Sequence, residues 1–249
     1  MTAFLLEIGC EEIPARFMNG LLSDLRDRLI AALEHHRLSY DPLQIEIFGT
    51  YRRLAIRIGG LSPAQSDHEQ LHLGPPLAHA RSSDGDWLPA AIGFAKKFQL
   101  EPDALSIQKD VKGREVLGCL VQDKGRDTVS VLSDLLPEVI LGIPLPVAMR
   151  WGAHKQPFVR PIHWLLALFG DSVVPFSLYG ISSNRLTRGH RVLTQSSDDL
   201  ISGECLSLSD PNGYEEVLQK GFVSVCFKSR QDAIKQYLVD GLKKEVSSI

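Results

Sequence analysis

The chain has 249 residues, with 27 Lys and Arg against 30 Asp and Glu, for a formal net charge of −3. That length can bury a real core in one domain or two. The slightly acidic balance excludes a protein that coats nucleic acid nonspecifically, so any nucleic-acid contact has to be a local patch. The four cysteines, Cys10, Cys119, Cys205 and Cys226, form no C-x-x-C pair and have no His at ligand spacing. This argues against a zinc site and fits a reducing cytosol. Glu7, Glu11 and Glu12 interrupt the first apolar run, so it does not read as a signal peptide. No apolar stretch approaches membrane-spanning length. The expected location is cytoplasmic, with no membrane and no DNA partner.

Residues 3–8 form a short apolar run expected to be a buried strand. Pro14 is placed to start a helix, and Phe17, Leu21, Leu22, Leu25, Leu29 and Leu33 repeat at helical spacing over residues 15–36. Glu11 and Glu12 read either as an acid/base pair or as a polar loop beside a helix N-terminus, where negative charge is favoured. Residues 45–48 and 54–58 are two strand candidates, and Leu54, Ile56 and Ile58 alternate on one face of the second. Arg52 and Arg53, between these strands, are candidate phosphate contacts.

Residues 62–86 are polar and rich in breakers, a loop that could pass for a linker. A helix is expected over 89–98, strands over 105–108 and 115–121, and a helix over 128–140 that stops before Pro144 and Pro146.

The stretch 149–191 carries Arg150, Lys155, Arg160, Arg185, Arg188 and Arg191, opposed only by Asp171. These charges bracket two apolar runs, 164–169 and 173–178, joined by the turn signal Gly170-Asp171-Ser172, as in a hairpin with cationic ends. Arg holds carboxylates or phosphates in a bidentate fork. The plainer reading is a solvated rim for the cations and a core role for Trp151, Trp164 and Phe169. Beyond it, residues 193–208 are poorly patterned. A short helix is expected over 211–219, a short strand over 222–225, and a final amphipathic helix over 229–246 that Ser229 could cap.

No phosphate-binding G-x-x-x-x-G-K-[ST] loop, dinucleotide fingerprint or G-x-S-x-G elbow occurs. His190 could act as a general base, but no acid or nucleophile stands near it in sequence. Packing or an RNA contact accounts for it better.

Met149-Arg150-Trp151-Gly152, Phe158-Val159-Arg160-Pro161-Ile162 and Arg188-Gly189-His190-Arg191 closely resemble, in order and spacing, the N-terminal part of the β chain of bacterial, heterotetrameric glycyl-tRNA synthetase. Glu7-Ile8-Gly9-Cys10-Glu11-Glu12-Ile13-Pro14 resembles the same family, which usually has Thr where Cys10 stands. Arg52-Arg53-Leu54-Ala55 resembles it too, with Pro usual at the Tyr51 position, and the Gly74-Pro75-Pro76 stretch within 62–86 resembles the family's Gly-Pro loop, which sits inside a folded region there. The resemblance runs clearly from Glu7 to Arg191 and loosely to about Lys244. It implies an α2β2 assembly in which the α subunit carries ATP, Mg²⁺ and glycyl transfer. The β chain would bind tRNA(Gly) as a non-catalytic subunit with no cofactor of its own. Family β chains continue into an HD-type helical domain and an anticodon-binding domain, so an expressed fragment or a shortened gene product is expected here.

The expected fold is α+β, mixed sheets with packed helices, resembling the accessory and editing-module folds of tRNA synthetases. A strand–helix–hairpin unit over residues 1–60 would precede a mixed region over 61–249 centred on the hairpin at 164–178. The candidate tRNA- or partner-binding residues are Arg52, Arg53, Arg150, Trp151, Arg160, Arg188, His190 and Arg191. The alternatives are a module that docks on the α subunit without touching RNA, a truncated fragment without function, and a hydrolase of mischarged tRNA. Glycine's small size makes a separate editing site less needed.

Overall fold

The computed structural model describes residues 2–82, 85–194 and 203–246. In chain order the elements are β1 (Thr2–Cys10), α1 (Ala15–His35), β2 (Ile45–Thr50), β3 (Arg53–Leu61), β4 (His68–Pro76), α2 (Leu77–Ala80), α3 (Pro89–Lys97), β5 (Ser106–Lys109) and β6 (Glu115–Asp123). They continue with α4 (Thr128–Leu141), β7 (Ile162–Phe169), β8 (Ser172–Val173), β9 (Ser177–Leu178), β10 (Ile181–Ser182), β11 (Leu186–Arg188), β12 (Cys205–Ser207), α5 (Tyr214–Lys220) and α6 (Phe227–Val246). The mixture is α+β, as expected. The chain forms two compact units, one from residues up to 65 and from 126 onward, the other from Ser66–Gly125.

The larger unit is built on a five-stranded antiparallel sheet in the order β2-β3-β1-β7-β8. Side chains alternate across a strand, and in β1 both sets are buried. Phe4, Leu6, Ile8 and Cys10 meet the apolar stripe of α1 (Leu21, Leu25, Leu29, Leu33) and that of α4 (Leu132, Leu135, Leu136, Val139). Leu5, with Ala55, Leu166 and Leu168, faces a second core closed by Leu208, Tyr214, Leu218, Val223 and Val225. Burial on both faces is why β1 is apolar on both sides, save for Glu7, rather than alternating. α4 begins at Asp127, whose side chain accepts the N–H of Ser130 at 2.9 Å and caps the first turn.

The hairpin expected at 164–178 is shorter than its sequence suggested. β7 turns through Gly170 (φ +58°) into β8, which pairs for only two residues, Leu168 with Val173 and Phe169 with Ser172. Pro175 then interrupts the run, since proline brings no donor to a ladder. Leu178 pairs instead with Ile181 across Tyr179-Gly180 (φ +53° and +75°), a two-residue turn of the kind whose twist suits a hairpin.

Three other expectations change. The polar stretch 62–86 is not a linker but part of a folded region, as the resemblance of its Gly-Pro loop implied, because it contains β4 and α2. Its strand was hidden because Leu71 and Leu73 face outward while β6 supplies the buried Leu117 and Cys119 of the same sheet. Residues 222–225 form no ladder. Val223 and Val225 instead insert into the second core from an unpaired segment, and Phe222 sits at φ +58°. α6 starts at Phe227, so Ser229 lies inside its first turn. The sulfur of Cys226 takes the backbone N–H groups of Lys228 and Ser229 in its place.

The smaller unit is a three-stranded antiparallel sheet, β4-β6-β5, with α2 and α3 closing a small core of Ala80, Ala91, Ala95, Leu117 and Cys119. Gly74 is required at that contact, since a Cβ there would lie 2.7 Å from the Phe94 ring. Four of the expected strand and helix segments, at 89–98, 105–108, 115–121 and 128–140, match α3, β5, β6 and α4 to within two residues at either end.

Candidate functional site

The organising feature of the larger unit is one buried carboxylate. Glu7 sits mid-strand in β1 with no exposure. It accepts from Thr187 Oγ1 at 2.7 and 3.0 Å, from the Trp164 indole N–H and from the Tyr214 hydroxyl, with Arg53 Nε 3.8 Å away. Donors from β7, β11 and α5 and a guanidinium from β3 thus meet on one anion. A buried charge is tolerated only when it is paired and hydrogen-bonded. Burial and the nearby Glu7 charge push the Tyr214 phenol well above its ordinary value of 10.0, so it remains a donor. Gly9, two residues on, leaves room for the Trp164 ring.

Above this anchor lies a recess of about 260 Å³. Thr50, Tyr51, Arg52 and Arg53 line it from the turn between β2 and β3. Gly189, His190 and Arg191 enter from the segment after β11, and Phe222, Val223, Ser224 and Arg230 from the approach to α6 and its first turn. The turn at Tyr51-Arg52 is fixed by its carbonyls, which accept from Ile13 N at 2.6 Å and Cys10 N at 2.9 Å. Tyr51, where the resembled family usually has Pro, therefore sits in a tight two-residue turn. Arg52 and Arg53 are buried, with their guanidinium groups 5.9 and 5.5 Å from the Trp164 ring centre. Arg53 also donates to the Arg188 carbonyl at 2.6 Å.

The Arg188-Gly189-His190-Arg191 word has a local reason. His190 N donates to the Gly221 carbonyl at 2.7 Å, and a Cβ on Gly221 would lie 3.0 Å from Gly189 Cα. Two backbones meet there without side chains between them. His190 Nδ1 accepts the N–H groups of Val192 and Leu193, both at 3.2 Å, which places a neutral ring's proton on Nε2. His190 can therefore donate to an anion.

The cations differ in their partners. Arg52 lies 3.7 Å from Glu11, which also meets His163 Nε2 at 2.8 Å, and Arg191 lies 3.3 Å from Glu12. Arg230 donates to the carbonyls of Ser224 at 2.7 Å and Val225 at 2.9 Å. No carboxylate among the described residues lies within ion-pair distance of it. Partial burial lowers its pKa from the ordinary arginine value, so an arriving anion would relieve a desolvated cation.

Of the eight residues singled out from sequence, the recess brings together Arg52, Arg53, His190 and Arg191. The other four lie outside it. Arg150 is exposed, and Trp151 stacks at 4.6 Å on Tyr179. Arg160 ties Glu12 O at 2.9 Å to its own segment, and Arg188 donates to Gly203 O at 3.3 Å. The sequence reading missed Glu7 and Arg230. Glu7 had a signal, as the one charge inside a buried run. Arg230 had none, because a lone Arg in a helical first turn looks like any solvated residue. Among the described residues no three His, Cys, Asp or Glu side chains gather to hold a metal ion, and no helix is long and apolar enough to cross a membrane.

The larger unit is thus an α+β module in which a buried carboxylate anchors a cation-lined recess. A family model described as glycyl-tRNA synthetase beta subunit matches residues 4–247, and the chain belongs to that family. It is similar to the "Glycine--tRNA ligase beta subunit" of Halothermothrix orenii, at 35% identity over 98% of this chain and 33% of the relative. It is also similar to those of Shouchella clausii (38% over 94% of this chain, 32% of the relative) and Clostridioides difficile (34% over 95%, 33% of the relative). The chain spans about a third of the length of these relatives.

Proposed function

We propose that this chain serves as the N-terminal, RNA-facing module of a glycine–tRNA ligase beta subunit in the cytoplasm. The cationic recess would hold phosphate of tRNA(Gly), while ATP, Mg²⁺ and glycine activation belong to the alpha subunit. The observation that carries the reading is the convergence of Arg52, Arg53, His190, Arg191 and Arg230 from three separated stretches of chain on one recess. Arginine forks and an imidazole N–H suit phosphate oxygens, and in a chain of net charge −3 any such attraction has to be local.

The test is tRNA(Gly) binding as a function of salt. Wild type should lose affinity steeply as salt rises. The double variant Arg191→Gln/Arg230→Gln should bind more weakly and lower the log–log slope by about 1, for the one phosphate the two side chains would share. Equal affinity and slope in the variant would end the reading.

A second role, assembly with the alpha subunit, has its own support. Ile234, Tyr237 and Leu238 of α6 are 60, 79 and 63% exposed, a set of apolar side chains that a protein contact would cover. Ile234→Lys/Leu238→Lys should abolish co-elution with the alpha subunit while leaving tRNA binding unchanged. Intact co-elution would remove α6 from the assembly contact.

A further inference from the structure

A second, larger recess of about 420 Å³ adjoins the cationic one. The two share Thr50, Tyr51 and Arg230 in their walls. Otherwise its lining has a different chemistry. Met18 and Leu22 come from α1, Ile47 and Gly49 from β2, and Phe227 from the start of α6, with Asn19 as the one amide. The ends of Leu22 and Met18 fill the space over Gly49, where a Cβ would lie 2.8 Å from Leu22 Cδ1 and 2.9 Å from Met18 Cε. Three of its side chains are left uncovered, Ile47 at 39%, Tyr51 at 47% and Phe227 at 65%. Phe227 also carries the Arg230 guanidinium 5.7 Å from its ring centre.

A cation-lined recess that shares a wall with an aromatic and aliphatic one matches a ligand with a charged group and a flat apolar group joined by a short link. We infer that the pair of recesses binds one unpaired nucleotide of an RNA strand. Its phosphate would sit against Arg191, Arg230 and His190, and its base against Tyr51, Phe227 and Ile47. The inference rests on the RNA-facing reading above and makes it specific. Paired bases are stacked inside a duplex and offer no free face, whereas unpaired ones can be splayed onto aromatic side chains. Stacking of this kind tolerates any base, and Asn19 supplies the single polar group able to read an edge.

The experiment uses the whole 249-residue chain. Binding is followed by fluorescence anisotropy with a labelled unpaired RNA heptamer, a blunt RNA duplex of equal phosphate count, AMP as competitor, and intact tRNA(Gly). The heptamer should bind at least ~10-fold more tightly than the duplex. Phe227→Ala and Tyr51→Ala should each weaken the heptamer by about 5-fold or more, the lower end for loss of one stacked base, and leave the duplex unchanged. Both positions are exposed enough that the fold should persist, which an unchanged Tm confirms. Arg230→Gln should weaken heptamer and duplex alike.

Equal affinity for duplex and heptamer would overturn the inference, as would indifference to Phe227→Ala. AMP binding as tightly as the heptamer would assign the site to a free nucleotide and overturn it too. Salt-dependent tRNA(Gly) binding that ignores Phe227→Ala sinks the nucleotide recess alone. Failure of the wild-type chain to bind tRNA(Gly) sinks the RNA-facing reading with it.

Discussion

The indole of Trp164 occupies the space over Gly9 in which a side chain would begin, so that a Cβ on Gly9 would fall 1.9 Å from Trp164 Cε2. The two residues are paired across β1 and β7, and the ring reaches over the strand to donate to Glu7. Gly9→Ala must therefore displace the ring. It should destabilise the chain by about 1–3 kcal/mol, the cost of overpacking a filled core, read as a lower urea midpoint. Trp164→Phe in the same background should recover part of the loss, because the smaller ring clears the methyl. No recovery would place the damage in the backbone of β1.

Removing donors from Glu7 should cost in a defined order. Tyr214→Phe deletes one hydrogen bond to a charged acceptor and should cost about 1.5–3 kcal/mol. Glu7→Gln leaves Arg53 buried without its anion and should cost more, about 3–5 kcal/mol. Equilibrium denaturation of both variants checks the order, and a Glu7→Gln chain as stable as wild type would mean that the carboxylate's charge is not needed.

The cap of α4 gives a pH-dependent prediction. The Ser130 hydroxyl and N–H lower the Asp127 pKa below its ordinary 3.8. A group whose pKa is lower in the folded state stabilises above its unfolded pKa and loses that contribution as pH falls through the folded value. Asp127→Ala should thus cost about 1 kcal/mol at neutral pH, and the difference from wild type should begin to shrink only as pH falls to the ordinary 3.8 and should vanish below the lower, folded value. A penalty that persists there would show that the cap acts through shape rather than charge.

Two cysteines should react differently. Burial pushes the Cys10 thiol up to about 12, only partly offset by Arg52 and Arg53. Hydrogen bonds from the Ser229 hydroxyl and N–H, in the first turn of α6, lower that of Cys226. The thiolate is the reactive form. Iodoacetamide at neutral pH should label Cys226 well before Cys10, and Cys10 only in denaturant, as followed by peptide mass spectrometry.

Periodicity located the parts whose burial is one-sided and local. The leucines of α1 repeat because they all face the sheet, and α4 runs through Pro137 to end at Leu141 on the Gly142 cap, before Pro144 and Pro146. β4 escaped because its exposed face carries the leucines. The 222–225 segment looked like a strand because Val223 and Val225 are buried, and burial does not require a ladder. Within the site, Arg52 and Arg53 stood out as adjacent cations and His190 with Arg191 as part of a recognisable word. Their meeting with Arg230, 178 positions beyond Arg52 in the numbering, depends on the Glu7 anchor and on two glycine backbones touching. No spacing rule reaches that far.

Where the chain leaves the larger unit at residue 65 and returns at 126, the two ends are already joined. Gln65 N donates to the Arg126 carbonyl at 2.9 Å, Arg126 N donates back to Gln65 Oε1 at 3.0 Å, and Ala64 bridges Asp127. The stretch Ser66–Gly125 is thus spliced into what would otherwise be a short turn, and it is about the size of a small independent domain. Such a junction behaves as a socket. The described residues of 66–125 contribute no side chain to either core of the larger unit and none to the lining of the recess.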